Sequence, residues 1–315
     1  MRRALATILG IFLLSCLIAG QTLAADVKTG KKITFTKKYP GLKLGYLSAI
    51  FLTAGMGPTL ENELALIDLA SEQGFAWMEI RDPNAVLTVA ECKALNAYGI
   101  LKHVELSYAL NKGPLDSDYP QVIEKALKNA VEFTKGPRTL RVPESNMEFM
   151  NDPKKMAWTE EEFKKALQIQ YDVAKKVKAA GLQFVNENAN LPVLGSYGFE
   201  AYMNAANKAV GWQLDTANMF CVSKVRTDPK VAERVIRKFA SRIFYTHLKS
   251  SVNGVCQPVL GDNELDNAII LSILAQNKKT YVAIEVAQVK SVDEQKANLM
   301  KSLEYLKSKG IITIK

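Results

Sequence analysis

The amino-acid sequence predicts an α/β chain folded as one (β/α)8 barrel, eight parallel strands enclosed by eight helices. Two patterns carry that prediction. Strand-like and helix-like stretches alternate strictly from residue 42 to residue 309, eight of each. Strict alternation implies a parallel sheet, and the number and length match such a barrel. In addition, four successive strand-like runs end in a side chain that can bind a cation or move a proton. They are Phe184-Val185-Asn186-Glu187, Gly211-Trp212-Gln213-Leu214-Asp215, Ile243-Phe244-Tyr245-Thr246-His247 and Tyr281-Val282-Ala283-Ile284-Glu285. Their ends are about 30 to 40 residues apart, the length of one strand, one helix and two loops. The C-terminal strand ends of a closed barrel converge on one mouth, so Glu187, Asp215, His247 and Glu285 would meet there.

Residues 25–40 form a polar lead-in, and the barrel is expected over 41–315. The first strand is expected at 42–50. The first helix, 60–73, takes Thr59 as its cap and stops at Gly74. A strand at 75–80 leads to a helix that opens with the capping box Thr88-Val89-Ala90-Glu91 and stops at Gly99. The third strand is 100–106. The third helix, 119–135, tolerates Pro120 in its first turn, where no backbone donor is needed. A short strand, 139–142, follows. The fourth helix opens with a second capping box, Thr159-Glu160-Glu161-Glu162, and keeps Phe163, Ala166, Leu167, Ala174 and Val177 on one side. Gly181 ends it. Strand 182–187, helix 199–209 and strand 211–215 come next. Asp228-Pro229 supplies a cap and an N1 proline for the sixth helix, before strand 241–247. Helix 265–276, strand 280–286 and a last helix from Ser291 to Gly310 complete the alternation. An open doubly wound sheet would normally carry a glycine-rich phosphate loop after its first strand. Thr53-Ala54-Gly55-Met56-Gly57 has neither phosphate-loop spacing.

With 48% hydrophobic and 23% charged residues, the composition is ordinary for a globular chain and ample for one core. The first 24 residues stand apart. Arg2-Arg3 precede an apolar run over 4–20, and Thr22-Leu23-Ala24 supplies small residues at the cleavage positions, for a cut near Ala24 or Ala25. That is the pattern of a secretory signal peptide, so the chain is expected to be exported, periplasmic or secreted. Leu13-Leu14-Ser15-Cys16 loosely resembles a lipobox, the rival reading with a lipid at Cys16. The apolar run continues past Cys16, which favours ordinary cleavage. No other run is long and apolar enough to span a bilayer. Cleavage removes two arginines and no acid from a net charge of +9. The lysines are scattered over helices such as 164–178 and 296–309 as solvated faces, which argues against nucleic acid as a partner. Cys92, Cys221 and Cys256 remain after cleavage, so at least one thiol stays free. Cys221 and Cys256 fall in consecutive loops on one face of the barrel, the candidate bridge in an exported chain. No cysteine pair has zinc-ligand spacing.

Glu, Asp, His and Glu make an oxygen-and-nitrogen donor set suited to Mn²⁺, Mg²⁺, Co²⁺ or Zn²⁺. One divalent metal ion is therefore the expected cofactor. A single carboxylate at a strand end is ordinarily just solvated. The coincidence of three with one of the chain's two histidines is what points to a site. Lys249, two residues past His247, reads as a substrate ligand or a surface lysine. His103 lies on the same strand face as Glu105 and reads as a site residue or a satisfied core histidine. Glu79 and Arg141 end the second and fourth strands and would line the mouth, although Arg141 could instead pair with a neighbouring barrel glutamate. Trp212, inside its strand, reads as core.

The motifs resemble the xylose isomerase-like superfamily of sugar (phosphate) isomerases and epimerases. The resemblance spans about residues 42–309. It rests on Glu187, on Gly211-Trp212-Gln213-Leu214-Asp215-Thr216-Ala217-Asn218, on Thr246-His247-Leu248-Lys249 and on Ile284-Glu285. Leu260-Gly261-Asp262-Asn263-Glu264-Leu265-Asp266 resembles the superfamily's G-x-G-x-hydrophobic-D turn, with Asn263 in place of the second glycine. The resemblance implies one divalent metal held by Glu187, Asp215, His247 and Glu285, with Glu187 and Glu285 also handling protons. It implies a sugar isomerase or epimerase that abstracts a proton next to a carbonyl through a metal-stabilised enediolate. Many relatives place a histidine where Asn218 stands and another near Asn188. These asparagines are taken, with Lys249, Glu79, Glu105, His103 and Arg141, as the expected substrate contacts. Two histidines cannot build the zinc cluster of the superfamily's endonuclease branch. The expected partner is a small sugar or sugar derivative, and a homo-oligomer is left open. Two rivals also stay open: a metal-dependent lyase or hydratase eliminating from a keto-glycoside, and a non-catalytic sugar-binding barrel. An isomer conserves mass, whereas elimination splits the substrate.

Overall fold

The computed structural model describes residues 30–83, 86–98, 100–107, 113–141, 159–188, 198–221 and 228–315. The expected signal segment, 1–24, lies outside the described residues. β1 (Ile33–Phe35) lies in the lead-in and stays out of the barrel. The barrel strands are β2 (Lys43–Leu47), β3 (Trp77–Pro83), β4 (Leu101–Ser107), β5 (Thr139–Arg141), β6 (Gln183–Glu187), β7 (Gly211–Asp215) and β8 (Ile243–Leu248). A small hairpin, β9 (Ser251–Val252) and β10 (Val255–Cys256), precedes the last barrel strand, β11 (Tyr281–Ile284). β12 (Ile312–Ile314) pairs antiparallel with β1, so the two ends of the folded chain clasp each other.

The hydrogen-bonded order is β4-β3-β2-β11-β8-β7-β6-β5, and every neighbouring pair is parallel. The first barrel strand lies beside the last, as closure requires. β4 and β5, the two ends of the ladder, also lie side by side. The chain is an α/β barrel.

Outside it run α1 (Leu60–Gln73), α2 (Val89–Ala97), α3 (Tyr119–Ala130), α4 (Glu160–Ala179), α5 (Gly198–Ala205), α6 (Asn218–Cys221), α7 (Pro229–Phe239), α8 (Asn267–Gln276) and α9 (Val292–Ser308). Local chemistry sets their ends. The first amides of a helix lack partners within it. Thr59, Asp228, Asp266 and Ser291 accept from such amides, and Thr88/Glu91 and Thr159/Glu162 close capping boxes. Gly74 ends α1 at φ 84, and a Cβ there would also press on the Lys31 backbone at 2.7 Å.

Some boundaries differ from expectation. The first strand stops at Leu47, and Ser48–Ala54 coils into a 3-10 helix ended by Gly55 at φ 88. α3 ends at Ala130, and the amide of Thr134 is taken by Asn96 Oδ1 at 3.2 Å. α5 ends at Ala205, where Asn207 Oδ1 accepts from Ala209 N–H at 2.9 Å and turns the chain. Among the described residues no helix is long and apolar enough to cross a membrane.

The barrel interior is floored by Trp77, Val185, Tyr245 and Ala283, from β3, β6, β8 and β11. Trp77 fits because residue 45 is glycine: a Cβ there would press on the Trp77 carbonyl oxygen and lie 2.7 Å from its indole. The indole Nε1–H is shared between the carbonyls of Lys43 and Val282, both at 3.1 Å. Side chains alternate along a strand, so the next inward position lies two residues further on. Those positions are Glu79, Glu187, His247 and Glu285. A polar layer therefore sits on a dry floor, at the C-terminal ends of the strands. Gly45→Ala is expected to cost about 1–3 kcal/mol by forcing both the backbone and the indole of Trp77 to shift. Chemical denaturation measures this, and an unchanged midpoint would show that Trp77 does not depend on the missing side chain.

Candidate metal centre

Glu187 ends β6, Asp215 ends β7, His247 stands one residue before the end of β8, and Glu285 follows β11. One donor atom of each lies within 4.8 Å of the others. The remaining atoms of these side chains are held elsewhere. Asp215 Oδ1 accepts from the N–H groups of Ala217 at 2.8 Å and Asn218 at 2.7 Å, which starts α6. Its Oδ2 makes no hydrogen bond and lies 3.8 Å from Lys249 Nζ. Glu187 Oε2 is paired with Arg141 Nη2. Glu187 Oε1 accepts from Asn218 Nδ2 at 3.1 Å and faces His247 Nδ1 at 3.8 Å. Glu285 Oε1 accepts from Lys249 Nζ at 2.8 Å, and its Oε2 lies 2.6 Å from His247 Nδ1. His247 Nε2 points away from this cluster, 2.7 Å from Glu79 Oε2.

The surrounding residues sort themselves by contact. Lys249 is no surface lysine: it is 8% exposed and also donates to Asn218 Oδ1 at 3.0 Å. Arg141 takes the pairing alternative, buried against Glu187. Two expected mouth contacts are placed differently. Glu79 is 0% exposed, tucked behind His247, and accepts from Tyr245 Oη at 3.0 Å. Asn188 holds the end of β7: its Oδ1 accepts from Asp215 N–H at 2.7 Å and its Nδ2 donates to Asp215 O at 2.9 Å. Trp212 is core, with its indole N–H directed to Asn188 Oδ1 at 3.3 Å. His103 and Glu105 pair in register with Glu79 and Arg81 along the backbone, but their side chains lie outside the described residues.

Two contributors escape the sequence reading. Arg81 is the next inward position after Glu79 on β3, and the alternation Trp77, Glu79, Arg81 was the available signal. Asn263, which replaces a glycine of the related turn, donates to Lys249 O at 3.1 Å and accepts from Ser251 N–H at 2.9 Å. It thereby holds the backbone beside Lys249. Cys221 and Cys256 are bridged, with Cα atoms 5.2 Å apart, which ties the end of α6 to the β9–β10 hairpin. Cys92 is a buried free thiol, pushed up to about 12 by burial.

The charges compensate one another. Among the described side chains, Glu187, Asp215 and Glu285 at the mouth, with Glu79 behind His247, are balanced by Arg81, Arg141, Lys249 and His247. Burial lowers Arg81, with the charge of Arg141 adding to it. Burial alone would lower His247, but Glu79 and Glu285 hold its imidazole up at about 10. Burial pushes Asp215 up to about 7 against the pull of Lys249. Burial alone would raise Glu285, but Lys249 and His247 hold it well below the usual carboxylate range.

No family model matches the sequence, and no curated protein matches it. Solved structures do match. D-allulose 3-epimerase from Methylomonas sp. in complex with D-allulose superposes with a TM-score of 0.61 at 16% identity, covering 88% of this chain and 99% of that one. A sugar phosphate isomerase/epimerase from Parabacteroides distasonis gives 0.61 at 15% identity, covering 87% and 96%. A protein from Mycobacterium smegmatis in complex with magnesium gives 0.59 at 13% identity, covering 85% and 97%, and is described as a xylose isomerase-like TIM barrel protein. The fold is a (β/α)8 barrel like that of these solved structures.

In this barrel the residues present fit a divalent cation. Three carboxylates and one imidazole nitrogen converge, and a buried Asp215 Oδ2 has no hydrogen bond. The donor set suits a hard or borderline ion. Binding needs the lone pair of His247 Nδ1, and the cation-free imidazole is protonated below about 10. A cation therefore displaces a proton. From about pH 7 to 10 we expect one proton released per ion and affinity rising about tenfold per pH unit. Below pH 7 the protonated Asp215 adds a second proton and steepens the slope. In the cation-free protein, the stability supplied by His247 is fully present below its ordinary 6.5 and lost as pH rises through about 10. Calorimetry with Mn²⁺ in buffers of different ionisation enthalpy counts the protons. A pH-independent affinity, or a His247→Ala variant with full metal content, would overturn the assignment.

Proposed function

We propose that the chain is a carbohydrate isomerase or epimerase that holds one divalent cation with Glu187, Asp215, His247 and Glu285. One observation carries the reading: each of these side chains has one atom secured by a neighbour and another turned into a common volume. The solved structures of like fold include D-allulose 3-epimerase, D-psicose 3-epimerase and L-ribulose 3-epimerase. The substrate of this chain is accordingly read as a free sugar or sugar derivative.

When bound, the cation would draw electron density from a sugar carbonyl and acidify the neighbouring C–H. The protein's own residues handle the proton. Arg141 fixes one oxygen of Glu187, and Lys249 fixes one oxygen of Glu285. Each carboxylate is thereby held in one orientation, so that one removes the proton and the other returns it. Return to the opposite face inverts the centre, and return to the adjacent carbon moves the carbonyl. Asn218 touches both Glu187 and Lys249 and keeps the two halves of the site in register.

Glu187→Gln and Glu285→Gln keep the shape and one donor oxygen but remove the basic one. Each is expected to lower turnover at least about 10²-fold, the ordinary scale of general acid–base catalysis, with substrate affinity far less affected. Turnover, metal content and deuterium wash-in next to the carbonyl are measured together, with the product mass. A Glu285→Gln protein that retains metal and exchanges at the wild-type rate would remove Glu285 as a base. Products lighter than the substrate would replace isomerisation with elimination.

We also propose that the chain is exported. The N-terminal pattern of residues 1–24 supports this, and so does the Cys221–Cys256 bridge, since disulfides persist in oxidising compartments. N-terminal sequencing of the protein from its native host is expected to start near Ala25. A mature protein starting at Met1 would sink this reading.

A further inference from the structure

We propose that Glu79 and Tyr245 are positioning residues that fix His247 in the tautomer with its proton on Nε2, so that the Nδ1 lone pair faces the cation site. The proposal rests on the divalent-cation reading above.

Glu79 is 0% exposed, yet neither oxygen lacks a partner: Oε2 lies 2.7 Å from His247 Nε2, and Oε1 accepts from Tyr245 Oη at 3.0 Å. As an anion a carboxylate only accepts, so the proton between it and the ring belongs to Nε2. Nδ1 is the nitrogen that faces Glu285 and Glu187, at 2.6 and 3.8 Å. Glu79 therefore acts through His247 rather than as a member of the converging donors.

The contact crosses the barrel. β3, which carries Glu79, and β8, which carries Tyr245 and His247, are separated in the sheet by β2 and β11. Tyr245 meets the His247 ring edge-on at 5.6 Å and Trp77 edge-on at 6.3 Å. The imidazole is thus fixed in orientation as well as in tautomer. Burying a carboxylate is costly unless it is bonded, and both oxygens of this one are engaged, one by the histidine and one by a tyrosine that packs on that histidine. A hydrogen bond from the outer nitrogen of a ligating imidazole also raises the basicity of the inner one.

The test uses ¹⁵N-histidine-labelled protein and Zn²⁺ alone. The chain has only two histidines, so the spectrum holds two imidazoles, and His247→Ala identifies which is which. With Zn²⁺ the His247 ring is expected to be protonated at Nε2 and bare at Nδ1. Glu79→Leu should weaken Zn²⁺ binding about 10–100-fold by calorimetry. Glu79→Gln, which keeps an acceptor in place, should recover most of the loss, and Tyr245→Phe should lose a few-fold. A proton on Nδ1 in the wild type overturns the proposal, and so does a folded Glu79→Leu with wild-type affinity. If Glu79→Leu does not fold, the wild-type tautomer and the near-isosteric Tyr245→Phe decide. Unchanged affinity and unchanged ¹⁵N shifts in Tyr245→Phe would remove Tyr245 from the proposal, and the wild-type tautomer would settle Glu79. A wild-type protein that binds no Zn²⁺, or a His247→Ala protein with undiminished affinity, instead refutes the cation reading itself.

Discussion

Charge compensation inside a closed barrel is the constraint on which the rest of this structure depends. An ion taken out of water costs several kcal/mol unless a partner is correctly placed. Among the described residues, three carboxylates stand at the mouth and a fourth, Glu79, lies behind His247, and each has a cationic partner or a set of amide donors. His247 stands between Glu79 and Glu285, Lys249 links Glu285 to Asn218, and Arg141 is buried against Glu187. Replacing the imidazole proton with a divalent ion adds one positive charge to this balance. That is the sign required where negative charge develops on a substrate oxygen.

The strands act as rulers for this arrangement. Trp77, Val185, Tyr245 and Ala283 make a dry floor, and the residues two positions further on carry the chemistry. Gly45 leaves the space that Trp77 fills, since a Cβ there would press on its backbone carbonyl and its indole. The loops then trim the site. Asp215 starts α6 with one oxygen and offers the other to the cluster, Asn218 on α6 reaches Glu187, and the Cys221–Cys256 bridge ties that short helix to the hairpin after Lys249.

Much of this was legible in one dimension. The period-2 and helical patterns, the two capping boxes and the caps at Asp228 and Ser291 are local physics, so the eight-fold alternation followed from them. A strand end is also a local event. For that reason Glu187, Asp215, His247 and Glu285 could be selected before any geometry was known. The terminal clasp of β1 with β12 was illegible, because neither segment signals a partner nearly the whole chain away.

The sequence by itself determined which strands carry donors and at which end, because alternation and barrel closure leave those side chains no other place to converge. Only the tertiary structure decided what each donor does with its second atom. Glu79 reads from sequence as a mouth residue, but Tyr245 and His247 reach it from across the barrel and make it a support. Arg141 could have been a substrate contact until the β5–β6 pairing set it against Glu187. Asn188 turned to the β7 backbone for the same reason. Which buried partner a charge finds depends on distances between strands remote in sequence, and no local pattern encodes those distances.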